Sequence, residues 1–482
     1  MAADRLTPLD SSFLRIETPS AHMHVGWRGS FRPDPARAPV TVAALRQLVG
    51  GRLPHAQRFR QRVVFPPAGL GEPVWIDDER FDLRYHVRSL SGPGESVSRG
   101  EFAQLTDDFL SRRLDRGRPL WQIGFVPRLR DGTVGMVMKV HHAMVDGKSA
   151  VALALLLLDA DPDQPVPAAD DGWLPAARPN GARLALDALR ETGGESLRMA
   201  AGIARTAGSP TRSVRLAETL RRAALSAGED LLRPAPSSFL NGPIGPRRRL
   251  LSHTAPLRDL LEIKRHSGAT LNDVALAVVA GALRRLALGR DTLPLPLKVM
   301  VPVNMRTADQ AVSMGNRISF VFISLPVHLD DPLARLRAVG VATRRFKDVG
   351  RAAGGSTVMD ALGHLPEPIK QGAARIAASP RMYNLTVSNI PGPRAPVYLL
   401  GAPLVDAFPV VPLSDGHALS IGMFSYVDHL FFGVHADPEA LPDASRLPGA
   451  LNGARIELRR AALAGAAPVA ADPAAELWRA AV

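Results

Sequence analysis

Two imidazoles, a carboxylate and a glycine fall within one short stretch, His141-His142-Ala143-Met144-Val145-Asp146-Gly147. A neutral imidazole is the side chain best suited to accept a proton near neutral pH. Asp146 follows His142 closely enough to orient its ring across a tight loop, or to lock that loop onto a distant arginine, for which Arg306 is the expected partner. Gly147 permits the backbone turn and a close substrate approach. Adjacent histidines on a strand send their rings to opposite faces, and zinc needs a third ligand, so no metal is expected here. Gly147-Lys148-Ser149 matches the tail of a phosphate-binding loop, but that loop requires glycine where His142 stands. Taken alone, the stretch also fits two structurally satisfied histidines at a strand end.

Rigid elements must hold such a loop. Trp121–Leu129 and Thr133–Val140 read as strands separated by the turn signal Asp131-Gly132, and the second runs straight into the histidines. Ser98–Leu114 carries Phe102, Leu105, Phe109 and Leu110 at helical spacing, and Lys148–Leu158 reads as a buried helix. Asp159–Pro179 is linker-like in composition. Residues 183–233 read as amphipathic helix with Arg205, Arg212, Arg215, Arg221 and Arg222 on the polar side, either a solvated connection or a membrane-surface element. Pro243–Arg249 is a basic turn.

Beyond it, Pro256–His266, Leu271–Leu288, Pro332–Phe346 and Glu367–Ala377 read as helices. Leu297–Val303, Ile318–Val327, Tyr383–Ser388, Leu419–Val427 and Leu430–His435 read as strands. The expected organisation is therefore mixed α/β, with a first half over 1–165, a linker and basic helical crossover over 166–249, a second half over 250–460 and a flexible tail over 461–482.

Composition bounds the chemistry. The 482 residues are 46% hydrophobic and 22% charged, enough apolar material for a sizeable core and unlike a disordered chain. Cysteine is absent, which excludes disulfides, thiolate metal sites and a cysteine nucleophile. The net charge of +13, carried mostly by arginine, reflects either an anionic partner or the base composition of the encoding genome. With 5% aromatic residues and no recognisable motif, nucleic acid is not the expected partner. Met1–Arg15 lacks the apolar stretch of a signal peptide, and the longest apolar runs, Ala150–Leu158 and Val274–Leu283, are too short to span a bilayer. A soluble or peripheral protein is expected.

HHxxxDG is the motif of the CoA-dependent acyltransferase superfamily, and more of the chain resembles one branch, the bacterial wax ester synthase/acyl-CoA:diacylglycerol acyltransferases. Leu6-Thr7-Pro8-Leu9-Asp10 with Phe13-Leu14 is similar to that family's N-terminus, His24-Val25-Gly26 to its first strand, and Pro119-Leu120-Trp121 to its PLW motif. Asn272-Asp273-Val274 with Gly281-Ala282-Leu283-Arg284 is similar to its ND motif. Pro302-Val303-Asn304-Met305-Arg306, Met314-Gly315-Asn316 and Asn389-Ile390-Pro391-Gly392-Pro393 resemble its later blocks. Asn304 and Ile390 depart mildly, standing where serine and valine are expected.

The resemblance runs from about residue 4 to about residue 458. It implies two chloramphenicol-acetyltransferase-like halves, mixed sheets with flanking helices, and an active site at their interface. It implies direct acyl transfer without a covalent intermediate or cofactor, from acyl-CoA to diacylglycerol or to a fatty alcohol. His142 would be the general base, with His141, Asp146, Gly147 and Asn272 around it. Asn272 is either a helix N-cap or a donor to the oxyanion. Pro119, Leu120 and Trp121 either pack the core or shape the acyl channel. Asp273, Asn389, Pro391 and Gly392 would border the substrates. A lipid acceptor adds an expected association with an anionic membrane or lipid-droplet surface from the cytoplasmic side. The competing readings are a condensation-type acyltransferase with a carrier-protein donor, and a non-catalytic lipid-surface protein.

Overall fold

The computed structural model describes residues 4–67, 71–144, 157–168, 172–190, 234–304, 318–352 and 367–464. Asp146, Gly147 and Arg306, most of the expected Lys148–Leu158 helix and most of 183–233 lie outside the described residues. The first half runs β1 (Asp4–Arg5), α1 (Pro8–Ile16), β2 (His24–Phe31), α2 (Val42–Arg52), β3 (Gln61–Val64), β4 (Val74–Asp77), α3 (Leu83–His86), β5 (Val87–Ser89), α4 (Arg99–Ser111), β6 (Trp121–Val126) and β7 (Val134–His141). The second half runs β8 (Arg249–Pro256), β9 (Leu297–Asn304), β10 (Ile318–Leu325), β11 (Leu385–Pro391), β12 (Tyr398–Leu399), β13 (Ala402–Val410), β14 (Leu419–Tyr426) and β15 (His429–Ala436), with helices at Leu257–Ser267, Leu271–Leu288, Pro332–Ala352, Glu367–Ala377 and Leu447–Ala464.

Two six-stranded mixed sheets carry the fold, in the orders β12-β13-β2-β7-β6-β5 and β10-β9-β11-β14-β15-β8. Every residue of β6 and β7 is buried. Strands covered on both faces are near-continuous apolar runs, which is why these do not alternate, with Gln122, Lys139 and His141 as the buried polar exceptions. The Leu271–Leu288 helix is buried from Asp273 to Leu283. It packs between the second sheet and the helices Pro332–Ala352 and Leu447–Ala464, so this span has no solvent face, and after Asp273 polar and exposed positions appear only from Arg284 onward.

One feature departs from the expected division into halves. β12 and β13 come from the second half of the chain but complete the first sheet. β13 runs antiparallel to β2, from Leu404 opposite Phe31 to Val410 opposite Gly26. Its back lies on the second sheet: a Cβ at Gly433 would sit 1.9 Å from the Pro409 carbonyl oxygen, and one at Gly422 would sit 2.8 Å from Pro409 Cγ. β13 was not legible as a strand because Pro403, Asp406 and Pro409 all disfavour one. It tolerates them beside the two-residue β12, with a register irregularity between Leu404 and Asp406.

The Leu447–Ala464 helix is also poorly signalled by the sequence, because Pro448, Gly449 and Gly453 weaken its propensity. Its buried stripe of Leu447, Leu451, Ala454, Leu458 and Ala462 has helical spacing nonetheless.

Gly433→Ala should destabilise the protein by about 3 kcal/mol, because the clash is with backbone that β2 pins from the other side. Gly449→Ala, on a helix with open space around it, should be neutral or stabilise by up to about 1 kcal/mol. Urea unfolding of both variants checks the contrast.

Candidate active site

β7 ends at His141, which lies opposite His24 of β2. The His141 N–H donates to the Leu120 carbonyl (2.9 Å), and the His142 N–H donates to the Met23 carbonyl (2.9 Å). His142 opens a single turn of 3-10 helix, His142–Met144. It has thus left the strand, so its ring is placed by this turn rather than by strand alternation. Met23 supplies that carbonyl from φ 48°, a left-handed conformation that costs a non-glycine residue roughly 1–2 kcal/mol.

The half-buried His142 ring lies flat on Phe13, with centroids 3.8 Å apart and planes 18° apart. Burial pulls its pKa down to about 4, with its own backbone carbonyl opposing the shift. The imidazole is therefore neutral at pH 7, the form that accepts a proton. Nδ1 has no hydrogen-bond partner among the described residues.

His141 is fully enclosed. Its Nδ1 accepts the Ala143 N–H (3.1 Å), which puts the ring proton on Nε2, 3.7 Å from a carboxylate oxygen of Glu17. Burial holds its pKa well below the usual range, with Arg116, His142 and Arg113 adding to the effect. The Glu17 carboxylate is 1% exposed and is gripped by Arg113 (3.1 Å) and by Arg116, whose Nε donates at 2.6 Å.

Glu17 ends α1, and Phe13 lies one turn earlier, so a single nine-residue helix braces both histidines. That helix is started locally: the Thr7 hydroxyl accepts the Asp10 N–H (3.1 Å) and Pro8 occupies the first turn. The N-terminal block resembling the family has this physical job.

Pro119, Leu120 and Trp121 are buried. The Trp121 ring stacks on His86 (4.5 Å) and donates its indole N–H to the Phe59 carbonyl (2.8 Å). Of the PLW residues, Leu120 and Trp121 thus sit within the first-half core, and Leu120 also hands its carbonyl to His141.

The N-cap of the Leu271–Leu288 helix is neither Asn272 nor Asp273. It is Thr270, whose hydroxyl accepts the Asp273 N–H (3.2 Å) while Asp273 accepts the Thr270 N–H (3.0 Å). This capping box consumes one face of Asp273. Its other oxygen accepts from the Thr343 hydroxyl (2.6 Å). Asn272 is left free of capping, and its Oδ1 accepts from Asn389 Nδ2 (3.0 Å). Its own amide N–H groups remain to donate elsewhere.

Asn389 lies on β11, which ends at the exposed Pro391. Gly392 follows, where a Cβ would sit 2.2 Å from the Ser425 carbonyl oxygen. Phe13 belongs to the same apolar core as Val274 and Leu276 of the helix after Asn272, which ties the two groups of site residues together. Among the described residues, no cluster of three or more histidine, aspartate or glutamate side chains has metal-binding geometry.

Sequence reasoning missed Glu17, Phe13 and Met23 as parts of the site. A lone carboxylate after a short helix and a residue at positive φ leave no periodic signal. Glu17→Gln keeps the shape and removes the charge. It should lower kcat about tenfold, equivalent to about 1.4 kcal/mol of barrier, with KM changed less than about twofold. Equal loss in both constants, or none, would contradict the bracing role.

Two family models cover most of the chain: the wax ester synthase/diacylglycerol acyltransferase catalytic domain over residues 6–275 and the WS/DGAT C-terminal domain over residues 314–458. A probable diacylglycerol O-acyltransferase of Mycobacterium tuberculosis, tgs1, is 33% identical over 451 residues, covering 92% of this chain and 93% of the relative. A second from that organism, tgs2, is 31% identical over 464 residues, covering 95% and 99%. The solved wax ester synthase/diacylglycerol acyltransferase from Marinobacter aquaeolei superposes with a TM-score of 0.67 at 26% identity, covering 95% of this chain and 99% of that one. The first condensation domain of the calcium-dependent antibiotic synthetase, at 17% identity and a TM-score of 0.60, shares the fold. By full-length sequence match and by architecture, the chain belongs to the wax ester synthase/diacylglycerol acyltransferase family.

Proposed function

We propose that this protein is an O-acyltransferase that moves a long-chain acyl group from acyl-CoA to the free hydroxyl of diacylglycerol, forming triacylglycerol, with fatty alcohols as a second acceptor class giving wax esters. The observation that carries the reading is the neutral, half-buried His142, fixed through its backbone on Met23 and through its ring on Phe13. Nε2 takes the hydroxyl proton, and the alkoxide oxygen bonds to the thioester carbon. The tetrahedral intermediate then collapses, the C–S bond breaks, and the imidazolium returns the proton to the CoA sulfur. Protons balance within the site, and the reaction so written uses no cofactor.

Asn272 is the side chain proposed to donate to the oxyanion or thioester, because its oxygen is held by Asn389 and its N–H groups are uncommitted to the helix cap. His141 supports the loop from the Glu17 side. Asp146 and Gly147 are proposed to set the loop after His142. Asn389, Pro391 and Gly392 are proposed to border the acceptor side. Asp273 and the PLW residues are proposed to act by positioning, in keeping with their burial.

Placement at an anionic membrane or droplet surface belongs to the same proposal. No described helix is long and apolar enough to cross a membrane. Residues 181–190 form a helix with Leu186 and Leu189 exposed, and it leads into the arginine-rich segment. Such a helix combines apolar contact with charge attraction at a lipid surface.

The test is CoA release from palmitoyl-CoA by purified protein, with diacylglycerol and hexadecanol in parallel. Acceptor-dependent release should fall about 10²–10⁴-fold in His142→Ala and about 10²–10³-fold in Asn272→Ala. A His142→Ala variant that keeps a tenth of the activity would overturn the base assignment. Folded wild-type protein that releases no CoA with either acceptor would overturn the reaction.

A further inference from the structure

A row of enclosed imidazoles lies behind the site, at the seam between the two halves. His22, His24 and His435 are each 3% exposed. The His22 and His24 rings are 5.4 Å apart and flank Met23 in the sequence. His435 comes from the other half, on β15, opposite Leu250 of β8. Just before β8, Arg248 crosses the seam: its guanidinium donates to the Ser20 carbonyl in the His22 loop, and its N–H donates to the Ser111 hydroxyl of α4 (2.8 Å). The Leu250 N–H donates to Asp107 of α4 (2.8 Å), and Arg28 donates to the Ser252 hydroxyl (2.9 Å).

We infer that His22, His24 and His435 form an acid-sensitive latch: neutral, they let the halves close on the Met23 carbonyl that holds His142; protonated, they open the seam and release it.

Hydrogen bonding leaves these rings no comfortable place for a second proton. His22 Nε2 lies 2.9 Å from the Pro19 carbonyl and His435 Nδ1 lies 2.7 Å from the Val411 carbonyl, so each of these nitrogens carries the ring proton. The other nitrogens, His22 Nδ1 and His435 Nε2, have no partner among the described residues. His24 Nε2 accepts the Leu114 N–H at 3.4 Å, and protonating it would oppose that bond.

The surroundings are also cationic. Lys139 and His141 face the row from β7, Arg113 from the turn after α4, and Arg248 from the second half. Lys139 is itself completely buried, with Nζ donating to the carbonyls of Phe109 (2.6 Å) and Arg112 at the end of α4. The nearby carboxylates are engaged: Asp437 lies 3.8 Å from Arg248 and accepts the Gly245 N–H, Glu17 is held by Arg113 and Arg116, and Asp107 accepts from Leu250.

The sign follows from these environments. Burial first, and the neighbouring cations second, bring His22 down to about 4 and His435 to about 3, and hold His24 well below its ordinary value. The opened form takes up protons that the closed form refuses. Closure is therefore complete above the ordinary histidine value and weakens as pH falls through it. Each histidine favours opening about tenfold per pH unit below roughly 6.5, so three together weigh about a thousandfold per unit. Asp107 opposes them as a single group, since burial raises it to about 6. His142 would itself protonate only near 4, so activity lost at higher pH reports the latch and not the base.

Native-state hydrogen exchange on the full chain, corrected for intrinsic rates, tests this at about pH 7.5 and about pH 5. The seam amides of Arg248 and Leu250 should lose protection at the lower pH while the Leu271–Leu288 helix keeps its own. Return to the higher pH should restore them. A His22→Gln/His435→Gln variant should close normally at the higher pH and keep its seam protection at about pH 5, because His24 alone is offset by Asp107. An unmoved opening midpoint, or loss of protection across the whole chain at once, overturns the latch. If the variant does not fold, the wild-type His22 and His435 Cε1 resonances decide: titration together with opening supports the latch, and titration near ordinary values in the closed protein overturns it. The exchange readout is independent of activity. Only the latch's consequence for turnover rests on the acyl-transfer reading.

Discussion

The site hangs from one backbone hydrogen bond, the His142 N–H to the Met23 carbonyl. It adds one more rung to the β2–β7 ladder beyond the His24–His141 pair, at a point where the chain is leaving the strand. Met23 must adopt a left-handed backbone to offer its oxygen, so something outside the loop must hold β2 rigidly. That support is β13. It pairs with β2 along Leu404–Val410 and rests Pro409 in the notch left by Gly422 and Gly433 on the second sheet. The position of the His142 imidazole is thus set by the contact between two sheets, and neither half alone would define it.

A second constraint is electrostatic. The chain carries a net charge of +13, yet the proposed acyl transfer needs an uncharged imidazole at His142. Much of the arginine surplus bridges elements: Arg15 to Glu72, Arg52 to Asp159, Arg335 to Glu457, and Arg113 and Arg116 to Glu17. The last pair is the instructive one. It satisfies Glu17 from the outside and leaves that carboxylate facing His141 on the inside. The histidines then stay neutral by burial, while α1 prevents the rings from turning. Phe13 restrains His142 by stacking and links it to the core around the Leu271–Leu288 helix, at whose start Asn272 stands.

Residues with local chemistry were legible in the sequence, and those with purely spatial roles were not. The His141-His142 pair announced itself by type, and the Asp131-Gly132 turn placed it at a strand end; Gly132 indeed adopts φ 81°. The Leu271–Leu288 helix was legible to the residue, but its cap was misplaced, because Thr270 and Asn272 are both good capping residues and only the hydrogen bonds tell them apart. β13 carried misleading prolines, and its partner β2 lies hundreds of residues away. Glu17 and Met23 act through contacts that no spacing encodes. The family blocks covered this gap by resemblance, and the structure supplies the physical reason for two of them: the N-terminal block starts α1, and PLW anchors β6 against the carbonyl that receives His141.

The most direct test of the account is rapid-quench measurement of CoA release in the absence of acceptor. Direct attack by an alkoxide generated on His142 predicts no stoichiometric burst and no acyl adduct on the intact protein by mass spectrometry, with release beginning only when diacylglycerol or hexadecanol is added. One equivalent of CoA released before acceptor is present, accompanied by an acylated protein, would contradict it.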